Sequence, residues 1–141
     1  MPDFHFSCPI EVRYGDLDPQ GHVNNAKFLS YLEQARINYL LNLGLISKES
    51  LGKTVGFILA DVHVTFLAPV LFSSAVQVQV GVTRLGNKSL TMEYLLLDQQ
   101  TGQSLATGST VVVTYDYQKH LTMPIPETWR QKIIAFEGLV S

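Results

Sequence analysis

Between residues 13 and 25 the chain reads Arg13-Tyr14-Gly15-Asp16-Leu17-Asp18-Pro19-Gln20-Gly21-His22-Val23-Asn24-Asn25. Two carboxylates, a histidine and a set of turn formers stand directly ahead of residues that open a helix. A helix N-terminus carries unpaired backbone N–H groups and the positive end of the helix dipole. A carboxylate a few residues before such an end supplies two parts of an acyl-transfer site: a group to attack or to activate water, and a stabiliser for the oxyanion. For a thioester these two parts suffice, because the leaving thiolate, with a pKa of about 8.5 in an ordinary thiol, needs little protonation. Asp18 is the candidate for the first part. An Asp before Pro also initiates turns and caps backbone amides, so local spacing leaves Asp18 between chemistry and structure. His22 suits either a loop-holding role or assistance to proton transfer. Asn24 and Asn25 read first as capping residues, and Asp16 as a turn or structural residue.

These residues have to be held by the elements on either side. From Phe4 to Tyr14 the apolar or aromatic residues fall on every even position, which is the pattern of a half-buried strand. The turn formers end it, and the residue before Pro19 is steered away from helical geometry. Phe28, Tyr31, Leu32, Ala35, Tyr39, Leu40 and Leu43 then recur at helical spacing. Asn24 suits the N-cap and Gly44 the C-terminal cap, so the spacing predicts one helix of about twenty residues, roughly 30 Å long, from Asn25 to Gly44. Four alternating runs follow: Gly56 to Phe66, Ala75 to Leu85, Ser89 to Asp98 and Ser104 to Tyr117. Their short Gly- and Asn-bearing connections fit antiparallel hairpins and leave no room for parallel crossovers. Pro126, Trp129, Ile133 and Ile134 predict a short C-terminal helix. The expected architecture is α+β: a five-stranded antiparallel sheet wrapped around one long helix, in a single domain over residues 1–141.

Asp16, Asp18, Gly21 and Val23 fit the pattern Asp-x-Asp-x-x-Gly-x-Val followed by a helix, and in this the chain resembles the 4-hydroxybenzoyl-CoA thioesterase-like family of hotdog proteins. Gly21-His22-Val23-Asn24-Asn25-Ala26, with Tyr31, Glu33, Ala35 and Arg36 after it, resembles the acyl-CoA thioesterase branch. The resemblance covers most of the chain, since strand, helix and four strands come in the family's order. It implies a hotdog fold and hydrolysis of acyl-CoA to free acid and coenzyme A, without metal or organic cofactor. It further implies Asp18 as nucleophile or general base, the backbone amide of Asn25 as oxyanion donor, a site at a dimer interface, and coenzyme A against the hairpin region of Lys88 and Ser89. An acyl-carrier-protein thioesterase and a non-catalytic acyl-CoA-binding module are the alternatives; an uncharged thioester gives a mere binder no reason to hold a carboxylate at Asp18.

Other residues have competing readings. Lys88 and Ser89 form either a solvated hairpin end or a phosphate or pantetheine contact. Asp61 and His63 lie two apart on a strand and share a face that could line a pocket. The histidines are far apart in sequence, so no metal site is expected. Glu33, on the helix, is the reserve carboxylate, since another branch of hotdog thioesterases uses a helix glutamate. The single cysteine, Cys8, sits in the alternating pattern and reads as a small core residue. The chain is 46% hydrophobic and 16% charged with a net charge of -2, enough for one core and without a basic stripe for nucleic acid. No apolar run reaches membrane-spanning length, and the acidic start lacks a leader's apolar stretch, so a cytoplasmic protein is expected. Finally, Phe57 to Phe66 contains no Lys or Pro, the residues that usually protect a free edge, which predicts an edge strand paired in a homodimer or homotetramer.

Overall fold

The computed structural model describes residues 2–140. Its elements are β1 (Phe6–Ile10), α1 (Asn25–Asn42), β2 (Val55–Phe66), β3 (Val76–Leu85), β4 (Ser89–Asp98), β5 (Ser104–Asp116), β6 (Leu121–Thr122) and α2 (Glu127–Glu137). Every pairing is antiparallel, in the spatial order β1-β3-β4-β5-β2, with β6 beside the end of β5. The alternation in sequence becomes two faces in space. Val76, Val78, Val80 and Val82 of β3 and Leu90, Met92, Tyr94 and Leu96 of β4 are buried on one of them. α1 covers that face with Phe28, Tyr31, Leu32, Ala35, Tyr39 and Leu40. Each large apolar side chain so enclosed contributes on the order of 2 kcal/mol.

Both ends of α1 have identifiable causes. Asn24 accepts a hydrogen bond from the Ala26 amide on its side-chain oxygen (2.9 Å), and Gly44, at φ 72°, takes the left-handed geometry that stops the helix. The helix ends at Asn42, two residues before the expected Gly44. α2 is tied to the core by one half-buried carboxylate. Glu137 Oε2 accepts from the Tyr39 hydroxyl (2.6 Å) and from the Val82 amide (2.9 Å), beside the register shift between Val82 and Arg84.

One expectation is corrected, and the five expected strands acquire a short addition. The first strand stops at Ile10, where alternation alone extends it to Tyr14. The Arg13 amide is taken by Asp16 Oδ2 (3.0 Å) and the Asp16 amide by the Arg13 carbonyl (2.9 Å), so the backbone turns through a 3-10 segment at Tyr14–Asp16. The sheet also gains a sixth strand, β6. With two residues it has no periodicity to read. It forms because Asp116 Oδ1 accepts from the Gln118 and Lys119 amides and His120 adopts φ 57°, folding the chain back on β5. β2 does lie at the sheet edge, and its far side has no partner strand among the described residues.

Candidate active site

The residues Asp18-Pro19-Gln20-Gly21 make a β-turn closed by the Gly21 amide on the Asp18 carbonyl (2.9 Å). Asp first, Pro second and Gly fourth is the composition that type I turns favour. Gly21 is left at φ 81°, which a side chain would strain. The turn is clamped by the Asp18 amide on the His22 carbonyl (2.8 Å), the Val23 amide on the Val70 carbonyl (2.8 Å) and the Asn24 amide on the Asp16 carbonyl (2.8 Å). The catalytic candidate therefore sits on a loop fixed to both α1 and the segment after β2.

Asp18 Oδ1 accepts from the amides of Gln20 (2.9 Å) and His22 (3.3 Å). No described residue hydrogen-bonds to Oδ2. At the start of α1 the Ala26 amide is capped by Asn24 and the Lys27 amide bonds the Asn24 carbonyl (2.8 Å), whereas the Asn25 amide has no acceptor among the described residues. Asp18, His22 and Asn25 line one cavity of about 490 Å³. Its opposite wall is Phe28 of α1 with the run Phe66, Leu67, Ala68, Pro69 and Val70. Phe28 and Phe66 meet edge to face with centroids 5.0 Å apart. The cavity thus joins a carboxylate oxygen, a free N–H at a positive helix end and an apolar wall. That combination can accept an acyl group, polarise its carbonyl and attack it.

Asp16, two residues earlier, is engaged differently. Its Oδ2 accepts from the Tyr31 hydroxyl (2.7 Å) and from the Arg13 amide (3.0 Å). Burial pushes this carboxyl up, but the Arg13 amide, the Tyr31 hydroxyl and the charges of Lys27 and Arg13 outweigh it and hold it below the usual range. The Tyr31 hydroxyl is pushed well above its usual range by burial and by the neighbouring Asp16. Asp16 is a structural carboxylate, as its turn position suggested. His22 holds the loop through its backbone; its ring makes no hydrogen bond among the described residues.

The other sequence candidates lie elsewhere. Lys88 and Ser89 occupy the β3–β4 hairpin, where Ser89 pairs with Val113 and Val113 with Ile58 at the far end of β2 from Phe66. Asp61 is exposed beside a register shift in β2, on the sheet face turned away from α1, and lines no part of the cavity. Glu33 projects from the third turn of α1, about 12 Å along the helix from Asn25 at the helical rise, and pairs loosely with Arg36 (3.8 Å). Cys8 is buried, with its thiol pushed up by burial despite a hydrogen bond with Asn38. Among the described residues no three His, Cys, Asp or Glu side chains are grouped as a metal site. Sequence reasoning missed Phe28 as a lining residue and the whole wall Phe66–Val70. The available signal was Leu67-Ala68-Pro69-Val70, an apolar run that continues past the end of a strand and is stopped by proline.

With this geometry in view, comparison with known proteins gives one family. The profile described as the Thioesterase-like superfamily matches residues 12–133. A crystal structure of a thioesterase complexed with coenzyme A and Zn from Thermus thermophilus is 39% identical, superimposes with a TM-score of 0.84, and matches over 99% of this chain and 100% of that one. The uncharacterised protein YsmA of Bacillus subtilis is 30% identical over 78% of this chain and 72% of its own. The long-chain acyl-CoA thioesterase FadM of Escherichia coli is 24% identical over 88% of this chain and 93% of its own.

Proposed function

The chain belongs to the thioesterase-like superfamily, and from that premise we propose that it hydrolyses acyl-CoA to free acid and coenzyme A, with Asp18 and the Asn25 amide as its catalytic groups. One observation carries the reading: Asp18, whose Oδ2 has no protein partner, and Asn25, whose N–H has none, among the described residues, line the same cavity. The thioester oxygen is set against the Asn25 N–H, where the α1 dipole and the amide favour developing negative charge. Asp18 then either attacks the carbonyl carbon, forming a mixed anhydride that water cleaves, or takes a proton from a water that attacks. In both routes the carbon–sulfur bond breaks and coenzyme A leaves as the thiolate. His22 serves by keeping the turn that aims Asp18.

The working form of this reading is a homodimer, on its own or within a tetramer, joined along the free edge of β2. Leu59, Val62 and Phe66 are exposed there, and the edge has no Lys or Pro to discourage pairing. Two-fold antiparallel pairing of β2 with its copy sets the Val55 end of one strand beside the Phe66 end of the other. That brings Lys88 and Ser89 of the partner subunit toward the cavity, as contacts for the coenzyme A phosphates, and Asp61 to the seam. No helix among the described residues is long and apolar enough to cross a membrane, and the cytoplasm, where acyl-CoA is made and used, is the proposed compartment.

The test is a panel of acyl-CoA and acyl-carrier-protein thioesters with detection of released thiol, alongside sedimentation at the assay concentration. Turnover of CoA thioesters by a dimer or tetramer is expected. Absence of thiol release from every CoA thioester would overturn the reading. A fully active monomer would overturn the shared site. In a single turnover in heavy-oxygen water, label in the Asp18 carboxylate establishes an anhydride opened at the Asp18 carbonyl, whereas label confined to the product acid fits water attack at the acyl carbon in either route.

A further inference from the structure

Arg36 stands at a core position of α1, with only 8% of its surface exposed. Guanidinium groups are almost never so enclosed without full pairing. Among the described residues its partners are few: the Tyr94 hydroxyl at 3.4 Å, itself already bonded to Thr110 Oγ1 (2.7 Å), and Glu33 at 3.8 Å, whose side chain is 68% exposed. Five N–H donors therefore share one long hydrogen bond and one loose ion pair. Arg36 also lines a second cavity of about 210 Å³, with Glu33, Ile37, Leu40, Leu51 and Phe57 among its walls. At about 30 Å³ per water that space holds roughly seven waters, or the end of a chain molecule.

This cavity is aligned with the candidate active site. Arg36 lies eleven residues beyond Asn25, which is three turns of α1, so both stand on the same helix face about 16 Å apart at the helical rise. Leu29 and Leu32 lie between them on that face, Leu29 exposed. Opposite runs a stripe of β2. Phe57, Leu59, Val62 and Phe66 pair with Thr114, Val112, Thr110 and Ala106 of β5, which are all buried. Cross-strand partners share a face, so this stripe turns toward α1, and the register shift between Leu59 and Asp61 keeps it there along the strand. The two cavities are separate, and exposed Leu29, Leu59 and Val62 mark an apolar lane between the Asn25 end and the Arg36 end.

We infer that this lane holds the acyl chain and that Arg36 recognises an oxygen acceptor at the chain's far end, so that the enzyme favours acyl-CoA whose acyl group carries a terminal carboxylate or hydroxyl. This rests on the thioesterase reading and names its substrate class. A methyl terminus offers the five donors nothing, whereas a carboxylate matches them in charge and geometry. Helical side chains lean toward the N-terminus, so the Arg36 head reaches back along the lane and shortens the chain needed to meet it. Glu33 competes for the same donors from its exposed position and weakens the preference without abolishing it.

The experiment compares kcat/KM for suberoyl-CoA, hydroxyoctanoyl-CoA bearing its hydroxyl at the chain end, and octanoyl-CoA, with sebacoyl-CoA against decanoyl-CoA as the longer pair. In the wild-type enzyme each carboxylate-ended substrate is expected to be used better than its methyl-ended partner, with the hydroxyl between. Arg36→Gln should reduce the carboxylate-to-methyl ratio by roughly tenfold to a hundredfold, the scale of a charge-assisted hydrogen bond. Glu33→Gln should raise the same ratio a few-fold. Rejection of both diacid substrates by an enzyme that turns over octanoyl- or decanoyl-CoA would overturn the inference while leaving the thioesterase reading intact. An unchanged ratio in folded Arg36→Gln would do the same. If Arg36→Gln does not fold, Glu33→Gln decides, because an unmoved ratio at that exposed position removes the proposed competition for Arg36. Failure to hydrolyse any acyl-CoA overturns the thioesterase reading itself.

Discussion

Asp16 and Asp18 are two residues apart on one loop, yet their surroundings divide the labour of that loop between them. Asp16 commits Oδ2 to the Tyr31 hydroxyl and the Arg13 amide, which bolts the loop to the second turn of α1. Asp18 commits only Oδ1, to amides of its own loop, leaves Oδ2 without a partner among the described residues, and lines a cavity of about 490 Å³. A carboxylate with both jobs would do neither well, since an oxygen held by strong donors is a poor nucleophile and base. One aspartate fixes the loop so that the other can stay free.

The sharpest way to break this division is Asp18→Asn. The amide keeps the size and the Oδ1 hydrogen bonds and loses the charge, so turnover should fall about a thousandfold or more, roughly 4 kcal/mol of transition-state stabilisation. The melting temperature should stay close to wild type. Steady-state thiol release beside a thermal melt checks both, and turnover within a few-fold of wild type would remove Asp18 from the chemistry.

Asn25 extends the comparison from the carboxylates to the backbone amide proposed to work with Asp18. It is the first residue of α1, the position where proline is best tolerated, and Asn24 before it already has the extended ψ of 137° that a following proline requires. Asn25→Pro should therefore keep the helix and delete the free N–H, lowering kcat by about a hundredfold to a thousandfold. Asn25→Ala, which retains the N–H, should stay within several-fold. Equal and severe losses in two folded variants, judged by circular dichroism, would shift the role to the Asn25 side chain.

Much of this arrangement was legible in the sequence because it is local. Helical spacing from Phe28 to Leu40 marked the core face of α1, and valines on alternate positions marked the inner face of β3. Asp18-Pro19-Gln20-Gly21 spelled out its own turn. What could not be read depends on residues distant in the chain. Which aspartate is bolted is decided by Tyr31, fifteen residues later, and the wall Phe66–Val70 reaches the cavity only because Val70 pairs with Val23. Arg36 was visible as part of the helix's pattern, but a charge on a core face announces its burial only once Tyr94 is seen beneath it.

The smallest effect on activity and the most informative one on structure should come from Tyr31→Phe. It removes the hydroxyl that Asp16 holds, and a hydrogen bond to a charged group at a half-buried site contributes about 1 to 2 kcal/mol to stability. Turnover should fall only a few-fold, because the Asp18 turn keeps its own hydrogen bonds. The pH dependence gives the loss a signature. Asp16 has a lowered pKa in the folded protein, so its contribution is present above the ordinary carboxylate value of about 3.9 and disappears as pH falls through the lower folded value. Tyr31 has a raised pKa, so its contribution is complete below about pH 10 and is lost as pH rises toward the folded value. Between those limits both groups hold their bonded forms. The stability difference between wild type and Tyr31→Phe should therefore be widest from about pH 5 to pH 9 and narrow toward both extremes. Tyr39, raised in the same direction by burial and by Glu137, stays in both proteins, so an alkaline decline persists in the variant at reduced amplitude. Thermal melts across pH measure this directly. A difference that does not change with pH would mean that Tyr31 acts by packing alone, and Asp16 would then need another reason for being the bound member of the pair.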